Sequence, residues 1–273
     1  MYRKNIREFE KKRKNLGHIN KNSDIDVINI KRKALNSPIK TLVIIIFLAA
    51  LIFAVFKITM YLNNLYNSNR YNEQLAEEVV SKSRNNTYEI NFNLLQTINT
   101  DTIGWIKFNN DKINNPIVKS DDNEEYLIKS YEKENNNIGT IFMDYRNRSF
   151  TDRNVILYGR NIPNGSMFGS LKDAFKESFY DNGNNKYIKI ITSNNENLTY
   201  EIFSYYIVEK EDDNYLTTTF RSDNEFSVFV NNLKNKSDKE FDTTVTKNDK
   251  ILTLSTDYGI SKRRVIHAKR VLK

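Results

Sequence analysis

From Thr41 to Leu62 the chain reads Thr-Leu-Val-Ile-Ile-Ile-Phe-Leu-Ala-Ala-Leu-Ile-Phe-Ala-Val-Phe-Lys-Ile-Thr-Met-Tyr-Leu, with Lys57 as its one charge. A helix rises about 1.5 Å per residue and crosses a hydrocarbon core of roughly 30 Å in about 20 residues. The core helix of a soluble protein shows a polar stripe, and this run has none. A cleaved signal peptide expects a short basic lead and a small-residue cleavage site. Here 40 residues precede the apolar run and Lys-Ile-Thr-Met-Tyr closes it. The sequence therefore predicts a transmembrane signal-anchor helix over 41–62, and a folded part on one side of it.

Charge is distributed to match. The net charge is +8, from 42 Lys and Arg against 34 Asp and Glu. Residues 1–40 hold 12 of the basic residues, including Lys11-Lys-Arg-Lys14, against four acidic ones. The other 233 residues balance, 30 against 30. A basic excess confined to one flank of an apolar run places that flank in the cytoplasm and adds attraction to anionic lipid of about 1 kcal/mol per basic residue. It leaves no surplus with which the folded part could bind phosphates, so nucleic acid is excluded as a partner.

The chain contains no cysteine and only two histidines, His18 and His267. Disulfides, Cys-ligated metals, thiol nucleophiles and His-based triads are thereby removed or nearly so, and neither a metal nor a cofactor is expected. Residues 63–99 carry helical spacing, with Leu65, Leu75, Val79 and Val80 and then Phe92, Leu94, Leu95 and Ile98, as a stalk or N-terminal helices. Beyond Thr100, short β-patterned runs at 104–108, 116–118, 140–143, 154–158, 187–192, 198–208, 251–255 and 264–272 alternate with turn residues. Helical patterns fall near 122–130, 168–176 and 223–235. Eight strands with few helices suggest a closed or nearly closed β-barrel over 100–273 carrying helical insertions. The four segments are thus a 1–40 basic tail, the 41–62 span, the 63–99 helical stretch and the 100–273 barrel.

Six motifs in order resemble one family. They are Asp101-Thr-Ile-Gly-Trp-Ile106, Asn115-Pro-Ile-Val118, Asp122-Asn-Glu-Glu-Tyr-Leu127, Ile138-Gly-Thr-Ile-Phe-Met-Asp-Tyr-Arg-Asn147, Asn154-Val-Ile-Leu-Tyr-Gly-Arg-Asn161 with Gly165-Ser-Met-Phe-Gly-Ser-Leu171, and Leu252-Thr-Leu-Ser-Thr256 followed by Arg264–Lys269. Together they look like the class B sortases, cysteine transpeptidases with a β-barrel fold. The resemblance implies a mostly β protein that takes a sorting-signal peptide of the Asn-Pro-x-Thr-Asn type and a cell-wall amine. In that family a Cys thiolate attacks, a His exchanges protons and an Arg on the last strand steadies the oxyanion or the substrate.

Residue by residue, one of the three is kept. Arg264 matches the family Arg, Arg160 stands at the His position and Asp257 stands at the Cys position. Asn123, Ser255 and Thr256 are the positions the resemblance nominates for substrate contact. Arginine cannot act as a base at neutral pH, and an aspartate attacking a peptide would pass through an anhydride. Two readings stay open: a catalytically silent homologue that binds a sorting signal, a partner or the wall, and an active transpeptidase with an atypical site. Asp257 and Arg160 are expected to form an ion pair, with Arg264 close enough to share it. His267 is expected to be structural, and Trp105 to lie in the core.

Overall fold

The computed structural model describes residues 38–83 and 87–271. The basic tail and His18 fall outside the described residues. By contact density the chain divides after Tyr61 into two compact units.

Helix α1 (Pro38–Val79) begins in the first unit and ends in the second. In the first unit its side chains are apolar all round and exposed, with Ile44, Phe47, Ile52 and Phe53 all facing outward. The helix is long and apolar enough to cross a membrane, and none of its most apolar window is buried against protein. In the second unit α1 becomes amphipathic. Leu75, Ala76 and Val79 are buried with Phe92, Leu95, Trp105 and Ile191 in one apolar cluster, and Trp105 is fully enclosed, as expected.

A hairpin that the helical spacing did not reveal follows: β1 (Val80–Lys82) and β2 (Tyr88–Ile90), with Val80 opposite Ile90. Its outer edge is closed by side chains from far along the chain. Asn197 accepts from the Tyr88 N–H at 3.0 Å and donates to the Tyr88 carbonyl at 2.8 Å, and Asn195 accepts from the Ile90 N–H. Helix α2 (Phe92–Ile98), capped by the Asn91 side chain, completes the N-terminal layer.

The remaining strands are β3 (Thr102–Phe108), β4 (Asn114–Val118), β5 (Phe142–Met143), β6 (Asn154–Tyr158), β7 (Tyr187–Thr192), β8 (Asn197–Glu209), β9 (Ile251–Tyr258) and β10 (Lys262–Val271). They close into an eight-stranded barrel in the order β10-β8-β7-β3-β4-β5-β6-β9, with β9 returning to β10. The pairs β4–β5 and β6–β9 are parallel and the rest antiparallel. Alternate residues of every strand fill the interior, among them Ile106, Ile117, Met143, Leu157, Ile190, Ile202, Leu254 and Ile266, as period-two pleating requires.

Helix α3 (Asp223–Asn235) caps the outside of β8, β9 and β10. Ser222 is its N-cap, Asp223 and Glu225 sit in its first turn, and Phe226, Phe229, Val230 and Leu233 form its buried stripe, which is the pattern that made it legible. The two other helical patterns shrink to 3-10 turns at Glu125–Leu127 and Gly169–Phe175. Asp122 draws the Glu124 and Glu125 amides onto its own carboxylate at 2.8 Å, so its side chain replaces helical carbonyls. A Cβ on Gly169 would meet the Ile162 carbonyl oxygen at 2.0 Å, so this turn is packed too close to its neighbour for any residue but glycine.

Candidate functional site

The residues nominated from sequence converge on the β9–β10 hairpin and the segment after β6. β9 runs to Tyr258, three residues beyond the expected end, and returns through a three-residue turn. Gly259, at φ +66°, supplies the left-handed turn residue. The extension fixes which way each side chain points. Thr256 lies opposite Arg264, and Asp257 opposite Arg263.

Strand alternation then sorts the site into two faces. Leu252 and Leu254 of β9, with Ile266 and Ala268 of β10, face the barrel interior. Thr256, Tyr258 and Arg264 continue that face at its end. Ser255, Asp257, Val265 and His267 belong to the opposite face, toward α3.

The α3 face is fully satisfied. His267 is completely buried, with Nδ1 2.9 Å from the Thr253 hydroxyl and Nε2 3.0 Å from the Tyr206 hydroxyl. Thr253 donates to Asn154 Oδ1 at 2.7 Å, so it accepts from Nδ1–H, and Nε2 accepts from Tyr206. Asn154 donates in turn to the Thr217 carbonyl. Burial first, and Lys236 second, hold the imidazole down to about 3. It is a neutral structural histidine, as expected. Ser255 shares a hydrogen bond of 3.1 Å with the Tyr215 hydroxyl, so it faces away from Arg264.

The interior face is not satisfied. Arg264 is 7% exposed, its Nε is enclosed without a hydrogen-bond partner, and its guanidinium makes no ion pair with any described residue. The guanidinium carbon lies 4.7 Å from the Tyr258 ring centre and 5.0 Å from that of Phe175. Phe175 is itself packed on Tyr205 at 4.5 Å. Burial lowers the Arg264 pKa from its ordinary value. Beside it the Thr256 hydroxyl is also buried and unpartnered. Side chains directly opposite on paired strands stand about 4.5–5.5 Å apart at Cβ, so both donors serve one spot.

The expected ion pair does not form. Asp257 pairs with Lys210 at 3.0 Å, half-exposed and on the α3 face. Arg160 Nη1 donates to the Leu127 carbonyl at 3.1 Å, and its own carbonyl accepts from Phe168 N–H at 3.0 Å. The reason is the extension of β9. One residue of strand turns a side chain through a half period, so Asp257 points away from the face that Arg264 occupies. Arg160 follows Gly159, where a Cβ would meet the Phe168 ring at 2.8 Å, and the guanidinium serves to tie two loops together.

Asn123 is also committed. It accepts from the Tyr145 N–H at 3.0 Å and donates to Asp144 Oδ2 at 3.2 Å. Asp144 is wholly buried and accepts further from Arg146 and from the Tyr158 hydroxyl. Burial pushes its carboxyl up, but the Arg146 hydrogen bonds outweigh that and hold it below the usual range. Tyr258 and Phe175 are the members of the site that the motifs did not supply. Period two could have found Tyr258, two residues past Thr256, whereas Phe175 arrives from a 3-10 turn with no local signal.

Chemically, the interior face offers a fixed cation and a hydroxyl donor against aromatic walls. It suits an oxygen-bearing ligand and contains no thiol or imidazole.

No protein-family model matches the chain. It is 35% identical over 188 residues to sortase B of Staphylococcus aureus, covering 67% of this chain and 75% of that protein. To sortase B of Listeria monocytogenes it is 34% identical over 193 residues, covering 66% and 73%. Among solved structures, Bacillus anthracis sortase B in complex with AAEK1 matches with a TM-score of 0.68 at 36% identity, over 78% of this chain and 100% of that one. The Staphylococcus aureus sortase B–substrate complex matches at 0.62 and 35%, over 66% and 84%. With two relatives above 30% identity over about three quarters of their length and a barrel that matches solved sortase B structures, the chain belongs to the sortase B family.

Proposed function

We propose that this protein is a membrane-anchored, catalytically silent sortase B homologue that holds a sorting-signal-like peptide without cleaving it. The observation that carries the reading is the pairing of an unsatisfied oxygen receptor, Arg264 with Thr256, with a chain that contains no cysteine. Peptide transfer needs a nucleophile that ionises and a proton donor for the leaving amine. Ser255 is tied to Tyr215, His267 is locked in the core, and Asp257 faces Lys210. Binding, by contrast, needs only what the interior face keeps. The S. aureus relative solved with its substrate supports a peptide as the ligand class, and the Asn-Pro-x-Thr-Asn type is the candidate motif.

The 41–62 run anchors the protein in the membrane, and the basic tail holds its N-terminus in the cytoplasm, so the barrel faces outward in a Gram-positive type envelope. The test is a calorimetric titration of the full chain, in mild detergent, with an Asn-Pro-Ala-Thr-Asn peptide and a scrambled control. Saturable binding of the first and not the second is expected. Equal or absent binding of both would overturn the proposal.

A further inference from the structure

The buried charge on Arg264 sets a requirement that a neutral peptide carbonyl does not meet. Its Nε is enclosed, nothing in the described chain accepts from the guanidinium, and Thr256 Oγ1 beside it is equally unpartnered. A buried charge without a partner is costly, and ring faces offset only part of that cost. The anions nearest along the paired strands are already committed: Asp257 to Lys210 and Glu209 to Lys262. With those two pairs cancelled, Arg263 next to Arg264 leaves this end of the hairpin positive, which favours an anionic visitor. A guanidinium presents N–H groups as a planar fork that matches two oxygens of one carboxylate, whereas a carbonyl offers one oxygen and no charge.

We infer that the Arg264–Thr256 pair takes a carboxylate, the free C-terminus of a peptide, in preference to an internal peptide bond. The ligand class is therefore a peptide that has already been cut, and the protein acts as a receptor for a cleaved end. This rests on the peptide-binding reading above and narrows it.

The test uses the full chain in mild detergent and three labelled peptides in fluorescence anisotropy: Asn-Pro-Ala-Thr with a free carboxylate, the same peptide as its C-terminal amide, and Asn-Pro-Ala-Thr-Asn-amide. A carboxylate meets the guanidinium with a full opposite charge and two oxygens for a bidentate contact, whereas an amide offers one uncharged oxygen, so the acid is expected to bind at least about tenfold more tightly than either amide. That preference should fall to about one in Arg264→Met and shrink in Thr256→Val. Equal affinity of acid and amides overturns the carboxylate assignment while leaving peptide binding intact. Binding of none of the three overturns the peptide-binding reading itself. An acid preference that survives in Arg264→Met moves the carboxylate elsewhere and overturns the role given to Arg264. Because the acid-to-amide ratio is read on the unmodified protein, a variant that fails to fold does not block the test.

Discussion

The two faces of the β9–β10 hairpin are built from the same strands and hold similar amounts of buried polarity, yet they are finished differently. Toward α3, Thr253, His267, Tyr206 and Asn154 form a closed chain in which donors and acceptors meet. Toward the barrel interior, Arg264 Nε and Thr256 Oγ1 have nothing to meet. A satisfied buried network fixes a fold, and a buried polar pair left open is a cost unless something else fills it. The difference separates what this protein needs to stand up from what it holds ready.

The largest effect should follow from damaging the finished face. His267→Phe leaves the Thr253 and Tyr206 hydroxyls without their shared partner, and loss of a buried partner costs about 1–3 kcal/mol for each stranded group. A fall of about 3–5 kcal/mol in unfolding free energy is expected from urea titration, and a loss under about 1 kcal/mol would mean the network is not the keystone described here.

The same residue gives the comparison a pH signature. The folded imidazole is held down to about 3, while an unfolded one titrates near 6.5. Between those values the unfolded chain binds more protons, so stability rises with pH, by up to about 1.4 kcal/mol per unit. Acidification from pH 6.5 should therefore destabilise the protein steadily. Asp144, whose folded carboxyl is depressed, stabilises above its unfolded value near 4 and adds a further loss below that. Urea midpoints measured from pH 7 to 4 should fall continuously in the unmodified protein and stay nearly flat in His267→Phe. A flat profile in both would place the histidine in water.

On the open face the sign reverses. Arg264→Met replaces a buried charge that has no anionic partner among the described residues by an apolar side chain of similar length, which removes the cost of burying that charge. A higher urea midpoint, or an unchanged one, together with weakened peptide binding is expected. A large loss of stability would show that Arg264 is structural after all.

Asp257 should matter least. Its pair with Lys210 is half-exposed and worth under about 1 kcal/mol, so Asp257→Asn should shift the urea midpoint barely above error. For the same geometric reason the double variant Asp257→Cys/Arg160→His should gain no peptide cleavage, because a thiol at 257 would share the face of Ser255 and Lys210. Cleavage by that variant would show that residue 257 reaches Arg264.

The barrel was readable because its strands obey period two and its turns use Gly, Asn and Asp; β6 and β7 match their expected bounds residue for residue. The β1–β2 hairpin escaped because Asn195 and Asn197, over a hundred residues away, supply the contacts that hold its edge. The site was half legible. Motif order nominated Arg264, Thr256 and Asp257 for one site, with Arg264 expected beside Asp257, but it did not show that β9 runs on to Tyr258 and sets Thr256, not Asp257, opposite Arg264. The strand continues because Gly259 permits a tight return, and one added half period changes the partner of every later residue. Asn123 and Arg160 have local partners that only the folded loops create.

The central claim is that the protein binds a peptide and leaves it intact. It is tested most directly by incubating the full chain with Asn-Pro-Ala-Thr-Asn peptide and a glycine-rich amine acceptor, and counting cleaved and transferred products by mass spectrometry. Products no higher than those of a protein-free blank, at peptide concentrations that saturate binding, are the expected result. Product accumulating in proportion to protein and time would contradict it.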